Sequence, residues 1–226
     1  MQPPDAPTAF LFKLWPWIEA NRNRLIVGGV MVVIAGLLVW FYVSAQEQKE
    51  IAAGTAYTQL ALSVPETADP GQWADAYLKI ANEYPGTLAG RRAWLQGAAA
   101  LLAAGKYADA QAQFQKFLDA HPDGDFSASA ALGVAASLEA LGKLDLAVGA
   151  YQRVVQGFPD VVAANLARLA LARIAGQQGK LTDALNFYET IVRFSPPGDA
   201  LASEAAMRSV ELQTKLAPAK STAVKP

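Results

Sequence analysis

The chain is organised by an 18-residue phrase that first appears as GKYADAQAQFQKFLDAHP, from Gly105 to Pro122. Related phrases follow as GKLDLAVGAYQRVVQGFP from Gly142 and as GKLTDALNFYETIVRFSP from Gly179, so the period is 37 residues. Each phrase starts with glycine and lysine, carries apolar residues at helical spacing and ends in proline. A fixed period of about 20 to 50 residues is typical of repeat proteins in which each structural unit stacks on the next. The sequence therefore predicts a solenoid.

The same residue types recur at the same places in successive units. Prolines stand at Pro85, Pro122, Pro159 and Pro196, aromatic residues at Tyr77, Phe114, Tyr151 and Tyr188, and alanines at Ala61, Ala98, Ala135 and Ala172. The glycine of each Gly-Lys pair should end a first helix, because glycine tolerates the left-handed backbone of a helix C-cap. The proline should end a second helix, because it cannot continue the helical hydrogen bonds. Each unit is thus predicted to be a helical hairpin with close contacts at the alanines.

Less regular segments flank the three clear units. A fourth, degenerate unit comes first, with Tyr57 and Ala61 in register but with Ala68 and Asp69 where glycine and lysine should be. Its turn, PETADPGQ, is predicted to be an irregular loop. After the last unit, residues 200–216 predict a capping helix with one polar face made by Glu204, Arg208, Glu211 and Lys215. The tail, residues 217–226, is predicted to be disordered because it is short, polar and bounded by prolines.

A stretch without charges, LIVGGVMVVIAGLLVWFYVSA, runs from Leu25 to Ala45. At a rise of about 1.5 Å per residue, a helix of this length spans the roughly 30 Å hydrocarbon core of a bilayer. Lys13, Arg22 and Arg24 precede it, so the positive-inside bias predicts a cytoplasmic N-terminus and an exported domain at residues 46–216. Residues 1–24 are then a cytoplasmic juxtamembrane segment with an apolar stretch from Phe10 to Ile18. The alternative is a signal peptide that is cleaved after Ala45.

Composition excludes several classes of function. The chain has no cysteine, so it forms no disulfide, thiolate metal site or cysteine nucleophile, and its only histidine, His121, is expected at a solvated helix end. The net charge is -1, without the basic runs of a nucleic-acid-binding protein. The Gly-Lys pairs lack the other residues of a phosphate-binding loop. We expect no catalytic, metal-binding or cofactor-binding residues, no small-molecule substrate, and no enzymatic activity.

Nine residues of the first clear unit carry a resemblance to the tetratricopeptide repeat. They are Trp94, Ala98, Leu101, Gly105, Tyr107, Ala110, Phe114, Phe117 and Pro122. The resemblance extends across three units, although the period is 37 rather than about 34, and Trp94 has no aromatic counterpart at Ala131 or Arg168. It implies an all-α fold in which the first helix of each hairpin lines a concave groove.

The resemblance also implies which residues face this groove. They are Leu95, Ala99 and Leu102, then Leu132, Ala136 and Glu139, then Leu169, Arg173 and Gln177, with Ala103, Ala140 and Gly176 beside them. A row of leucines favours an apolar segment of another protein as the ligand. A clamp for a C-terminal carboxylate is less favoured, because only Arg173 fits the charged set that such clamps use. Alternatively, the leucines pack as core, since helical spacing does not separate core from groove.

A second resemblance is carried by residues of the N-terminal region, namely Trp17, Asn21, Arg22, Trp40 and Tyr57. With these residues the region resembles the anchor region of the YfgM-type ancillary subunits of the SecYEG translocon. It implies a single-pass protein of the bacterial inner membrane whose periplasmic solenoid lies near the translocon and helps periplasmic chaperones to receive exported proteins. The expected function is a membrane-anchored adaptor or chaperone-like subunit. The alternative is a self-assembling envelope scaffold, of the type that repeat proteins form in cell division or outer-membrane assembly.

Overall fold

The computed structural model describes residues 16–217, except 18, 64, 66–68 and 197. Within these residues the regular structure is entirely helical, which confirms the predicted all-α class. The helices are α1 (Arg22–Ser63), α2 (Pro70–Glu83), α3 (Leu88–Ala103), α4 (Tyr107–Ala120), α5 (Ser127–Ala140), α6 (Leu144–Gly157), α7 (Val162–Gln177), α8 (Leu181–Phe194) and α9 (Ala200–Leu216). Contacts divide the chain into two compact units, Met1–Ala52 and Ala53–Pro226.

The first unit contains the larger part of α1, which is one continuous helix of 42 residues. Its side chains from Leu25 to Val43 are mostly exposed, and the most apolar 18-residue window has a mean hydropathy of 2.5. By length and composition, α1 could cross a membrane. The helix continues through residues 46–51 without a break. Of the predicted apolar stretch from Phe10 to Ile18, only Pro16 and Trp17 fall within the described residues.

From α2 onward, the second unit is a series of helices in which each helix packs on the next. The pairs α3 with α4, α5 with α6 and α7 with α8 are the three predicted clear hairpins, and α9 packs on α8. Every recurring aromatic residue named above is buried, and so are the alanines of the three clear units, Ala98, Ala135 and Ala172. Burying an aromatic side chain beside an alanine lets the two helices approach closely while removing a large apolar area from water.

The glycine turns have the geometry that the sequence predicted. Gly142 has φ of 74°, in the left-handed region, and its N–H donates to the Glu139 carbonyl at 2.8 Å. The next N–H, that of Lys143, donates to the Leu138 carbonyl at 3.0 Å. This pair of bonds is the Schellman motif, which satisfies carbonyls that a helix C-terminus would otherwise leave free. The turns at Gly105 and Gly179 have the same two bonds.

The links between hairpins are also equivalent. Each of the four recurring prolines directly follows the C-cap residue of a second helix, namely Tyr84, His121, Phe158 or Ser195. This agrees with the predicted helix ends, because the residue before a proline disfavours helical geometry.

One further periodic feature was not predicted from sequence. The small residues Ala53, Gly90, Ser127 and Ala164, spaced by 37, are all buried; the last three lie within the first three residues of a first helix, whereas Ala53 lies inside α1.

Three predictions need correction. Ala61 is exposed, because α1 ends at Ser63 and no Gly-Lys turn folds a second helix back over it. The predicted loop PETADPGQ is shorter than expected, because α2 already begins at Pro70, with the Asp69 carboxylate accepting from the Gly71 N–H at 3.0 Å. His121 is half-buried, with its ring centroid 5.0 Å from that of Phe117.

Two remaining features concern the ends of the repeat region. At the register position of Trp94, the third hairpin has Arg168, which is buried and donates to the Asn165 side chain at 2.7 Å. Burial lowers the pKa of this guanidinium.

The helix α9 lies where a capping helix was predicted, and its Ser209 is buried. The predicted disordered tail lies outside the described residues after Ala217.

Candidate protein-binding groove

The nine residues predicted to line a groove all lie on the first helices of the three clear hairpins, and we call them the candidate groove. Leu95, Ala99 and Leu102 are on α3, Leu132, Ala136 and Glu139 on α5, and Leu169, Arg173 and Gln177 on α7. None is fully buried: Ala99, Arg173 and Gln177 are exposed and the other six are half-buried. The leucines pack along the edge of the core and still present part of their surface to solvent.

One end of the candidate groove has a shallow cavity of about 330 Å³ beside α3. Leu95 and Ala99 line it together with Arg92, Gln96 and the phenol ring of Tyr57. Tyr57 is placed there by its packing on Tyr77, with the two ring centroids 5.9 Å apart. The cavity therefore has an apolar floor and a few polar groups at its margin, which is the usual composition of a ligand-binding surface.

The middle of the candidate groove contains a polar network that joins two hairpins. The Tyr151 hydroxyl donates to the Glu139 carboxylate at 2.8 Å, and the Arg173 guanidinium forms an ion pair with the same carboxylate at 2.5 Å. Burial, followed by the hydrogen bond to Glu139, raises the pKa of Tyr151 far above its ordinary value. Because the guanidinium of Arg173 is already paired, it is a poor candidate for clamping a carboxylate of a ligand.

The other end of the candidate groove has a larger cavity, of about 450 Å³, between α7, α8 and α9. We call it the α7–α9 cavity. It brings together Leu169, Arg173 and Gln177 with Gly176 and the aromatic ring of Tyr188. Leu102, Leu132 and Ala136 line neither this cavity nor the one beside α3.

A difference between repeats at one register position contributes to this cavity. Spaced by 37, this position holds Leu102, Glu139 and Gly176 in the three hairpins. The aromatic residue 12 positions later is Phe114, Tyr151 and Tyr188, respectively. In the second hairpin the glutamate side chain meets the tyrosine hydroxyl. In the third, glycine has no side chain, and the space in front of Tyr188 stays open.

The polar face of α9 completes this cavity. Glu204, Arg208, Glu211 and Lys215 were predicted as the outer face of a cap, and they are exposed as predicted, but they also line the α7–α9 cavity. Glu211 accepts from Lys215 at 2.6 Å and from Arg208 at 3.4 Å. These interactions, with the hydrogen bond from Lys215 first, lower the pKa of Glu211. The repeat pattern alone does not reveal this contribution, because it depends on where α9 packs.

The composition of the candidate groove indicates what kind of ligand it can hold. Within the described ranges, no group of three or more His, Cys, Asp or Glu side chains is placed to hold a metal ion. The residues that line the two cavities are mainly leucines, alanines, glutamines, tyrosines and charged residues, and among the charged ones Arg173, Arg208, Glu211 and Lys215 form ion pairs. Such a surface can bury apolar side chains and form a few hydrogen bonds, which is what binding a polypeptide requires.

Comparison with known families decides the fold family. The family model described as "Tetratricopeptide repeat-like domain" matches residues 16–151, more than half of the chain. The chain belongs to this family. Tetratricopeptide-like folds are typically non-catalytic scaffolds for protein–protein interaction, and this chain has the hairpins, turns and register of such a scaffold. The match ends at Tyr151, so the α7–α9 cavity lies beyond the matched residues.

Among solved structures, a protein described as "MamA RS-1 ArsTM double mutant" aligns with a TM-score of 0.49 and 16% sequence identity. The alignment covers 74% of this chain and 96% of that chain. None of the curated proteins matches the chain.

Proposed function

We propose that this chain is a membrane-anchored, protein-binding adaptor or chaperone-like subunit, whose candidate groove engages apolar segments of other proteins. One observation carries the proposal: the leucines of the groove are half-buried rather than sealed in the core, and an open cavity lies at each end of the row. Helix-in-groove recognition uses such a surface, because apolar side chains of the ligand fill the spaces while the rim stays hydrated.

The anchor in this proposal is α1, with residues 25–45 in the bacterial inner membrane, the N-terminus in the cytoplasm and the groove in the periplasm. The excess of arginine and lysine before Leu25 supports this orientation. The chain has no cysteine, so single-cysteine variants give clean labelling. We expect an impermeant maleimide to label Asp123→Cys in spheroplasts and Asp5→Cys only after permeabilisation. The reverse pattern would overturn the orientation, and a protein shortened by 45 residues would show cleavage instead of anchoring.

The partners in this proposal are the SecYEG translocon, periplasmic chaperones or the exported proteins that they handle. The resemblance of the anchor region to YfgM-type subunits supports this choice. The test is affinity purification of the full-length chain from membranes, compared with two glutamate variants. Leu132→Glu places a charge in the candidate groove, whereas Arg153→Glu changes an exposed residue of α6. We expect both to keep their helical circular dichroism and only Leu132→Glu to lose its partners.

Recovery of the same partners with both variants would show that the partners do not bind at the candidate groove. Recovery of neither translocon subunits nor exported proteins with the wild type would overturn the proposed partners. Sedimentation of the full chain in detergent addresses the scaffold alternative, because a closed oligomer that persists on dilution would favour self-assembly over an adaptor.

A further inference from the structure

The α7–α9 cavity has an unused hydrogen-bonding group in its floor. Tyr188 is only 8% exposed, yet it is one of the residues that line the cavity. In the part of the chain that the structure describes, no group forms a hydrogen bond with this hydroxyl. In the preceding hairpin the equivalent hydroxyl, that of Tyr151, donates to Glu139. This hydroxyl keeps some exposure to solvent. A ligand that supplies an acceptor would therefore exchange a water at this position for a hydrogen bond beside apolar side chains.

The charges around the cavity are already balanced among themselves. Arg173 is paired with Glu139, and both Arg208 and Lys215 are bonded to Glu211. Glu204 is exposed and lies one helical turn from Arg208. An entering carboxylate would compete with Glu139 and Glu211 for their cations, and an entering ammonium would compete with three cations for their carboxylates. Neither sign of charge gains much, because exposed ion pairs contribute little.

The remaining surface of the cavity is apolar. Leu169, Leu181, Leu212, Ala172 and Ala184 line it around the ring of Tyr188. Its volume of about 450 Å³ is more than one side chain occupies, and is within the range of pockets that bury a ligand of several side chains. Gly176 leaves room in the wall, because an added Cβ at this residue would meet no atom within 4 Å.

We propose that the α7–α9 cavity binds an uncharged, apolar segment of a partner polypeptide, with a carbonyl oxygen of that segment accepting a hydrogen bond from Tyr188. This rests on the proposed function and narrows it, because it locates one contact and states its chemistry. The segment enters at Gly176, the register position at which the two preceding hairpins carry the side chains of Leu102 and Glu139. Affinity comes from buried apolar surface and one neutral hydrogen bond, so binding depends little on ionic strength.

The test uses the full chain in lipid nanodiscs and a fluorescent 16-residue peptide with acetylated and amidated ends. The peptide has leucines at helical spacing and otherwise only glutamine and serine. Two further peptides carry glutamate or lysine in place of the central leucine. Fluorescence anisotropy measures binding, with empty nanodiscs as the baseline. We expect the uncharged peptide to bind at least tenfold more tightly than either charged one, with less than a twofold change between 50 and 500 mM salt.

Gly176→Leu restores a side chain that fills the space, and we expect it to weaken binding at least tenfold. Gly149→Leu is the matched control, since it adds the same side chain to α6, where an added Cβ also meets nothing within 4 Å. Tyr188→Phe should weaken binding about fivefold, the loss of one neutral hydrogen bond, and Tyr107→Phe, at the start of α4 and away from the cavity, should leave it unchanged. Circular dichroism checks that each variant is folded.

The proposal is overturned if Gly176→Leu binds like the wild type, if a charged peptide binds more tightly, or if the wild type binds none of the peptides. Its failure differs from failure of the proposed function. If the peptide test fails but Leu132→Glu still loses the partners that the wild type recovers, the adaptor role stands and only this cavity is excluded. If the wild type recovers no partners, both proposals fail.

Discussion

The Tyr151 hydroxyl and the Glu139 carboxylate are joined by a hydrogen bond of 2.8 Å between the two helices of one hairpin. The same pair of register positions holds Phe114 with Leu102 in the preceding hairpin and Tyr188 with Gly176 in the following one. In the first clear hairpin an apolar residue thus faces an apolar one, and in the second a hydroxyl faces an acceptor. In the third, tyrosine faces an open cavity. This sequence of pairs makes the groove change from apolar to polar along its length.

The pairing predicts strong energetic coupling between the two positions. Glu139→Leu leaves the Tyr151 hydroxyl without its acceptor, and Tyr151→Phe removes the donor, so each single variant should lower the free energy of unfolding by about 1 to 3 kcal/mol. The double variant recreates the Leu and Phe pair of the preceding hairpin. We expect it to be more stable than the sum of the single changes predicts, with a coupling of about 1 to 2 kcal/mol in urea denaturation. Additive effects would show that the bond contributes nothing specific.

The same bond predicts a loss of stability at alkaline pH. The folded pKa of Tyr151 lies far above the ordinary value of about 10, because of burial and then of the bond to Glu139. Below pH 10 the hydroxyl is protonated in both states and its contribution is complete. Above it, the unfolded chain releases the proton while the folded chain retains it, so the free energy of unfolding falls. Measured between pH 8 and 11, this fall should be smaller in Tyr151→Phe, and equal falls would contradict the assignment.

Replacing glycine by alanine should have opposite effects on the free energy of unfolding at a turn glycine and at a helix glycine. Gly142 has φ of 74°, so Gly142→Ala should lower the free energy of unfolding by about 1 kcal/mol. Gly149 lies inside α6, and an added Cβ there meets nothing within 4 Å, so Gly149→Ala should raise it by about 0.5 to 1 kcal/mol. Urea denaturation of both variants measures the contrast. A neutral Gly142→Ala would show that the left-handed turn is not needed to close the hairpin.

Close contact between two hairpins predicts that alanine at Gly133 of α5 is destabilising. A Cβ added to Gly133 would lie 2.6 Å from the ring of Phe114, which is itself buried in the preceding hairpin. Gly133→Ala should therefore destabilise the protein by about 1 to 3 kcal/mol, since the buried ring or the backbone must shift to make room for the methyl group. Adding Phe114→Leu should recover part of this loss, because the smaller side chain frees the space. A well-tolerated Gly133→Ala would contradict the close approach of these two helices.

Much of the fold could be predicted from the sequence, because its signals are local and repeated. A glycine that needs a left-handed turn, as at Gly142, and a proline that ends a helix, as at Pro159, act within a few residues of their position. Where the repeat is degenerate the prediction fails. Ala61 keeps the register yet is exposed, because the turn that would cover it is missing. Asp69 and Pro70 are a helix-start signal, and α2 begins at Pro70, within the stretch predicted to be a loop.

The candidate groove was less accessible to sequence analysis. Helical spacing places Leu95, Leu132 and Leu169 on one face, but their half-burial depends on how closely the neighbouring first helices approach. The α7–α9 cavity depends on three separate facts: the absence of a side chain at Gly176, the burial of Tyr188, and the packing of α9 beside α7. Only the first of these can be recognised in the sequence, and only by comparing Gly176 with Leu102 and Glu139.

Photo-crosslinking in living cells tests the central claim most directly, by placing a benzophenone amino acid at Leu132 or Gln177 of the candidate groove and at Arg153 as an exposed residue of α6. Binding of partner segments by the first helices predicts adducts with another protein from the two groove positions and none from Arg153. Adducts from Arg153 alone would place the binding surface on the second helices and contradict the account.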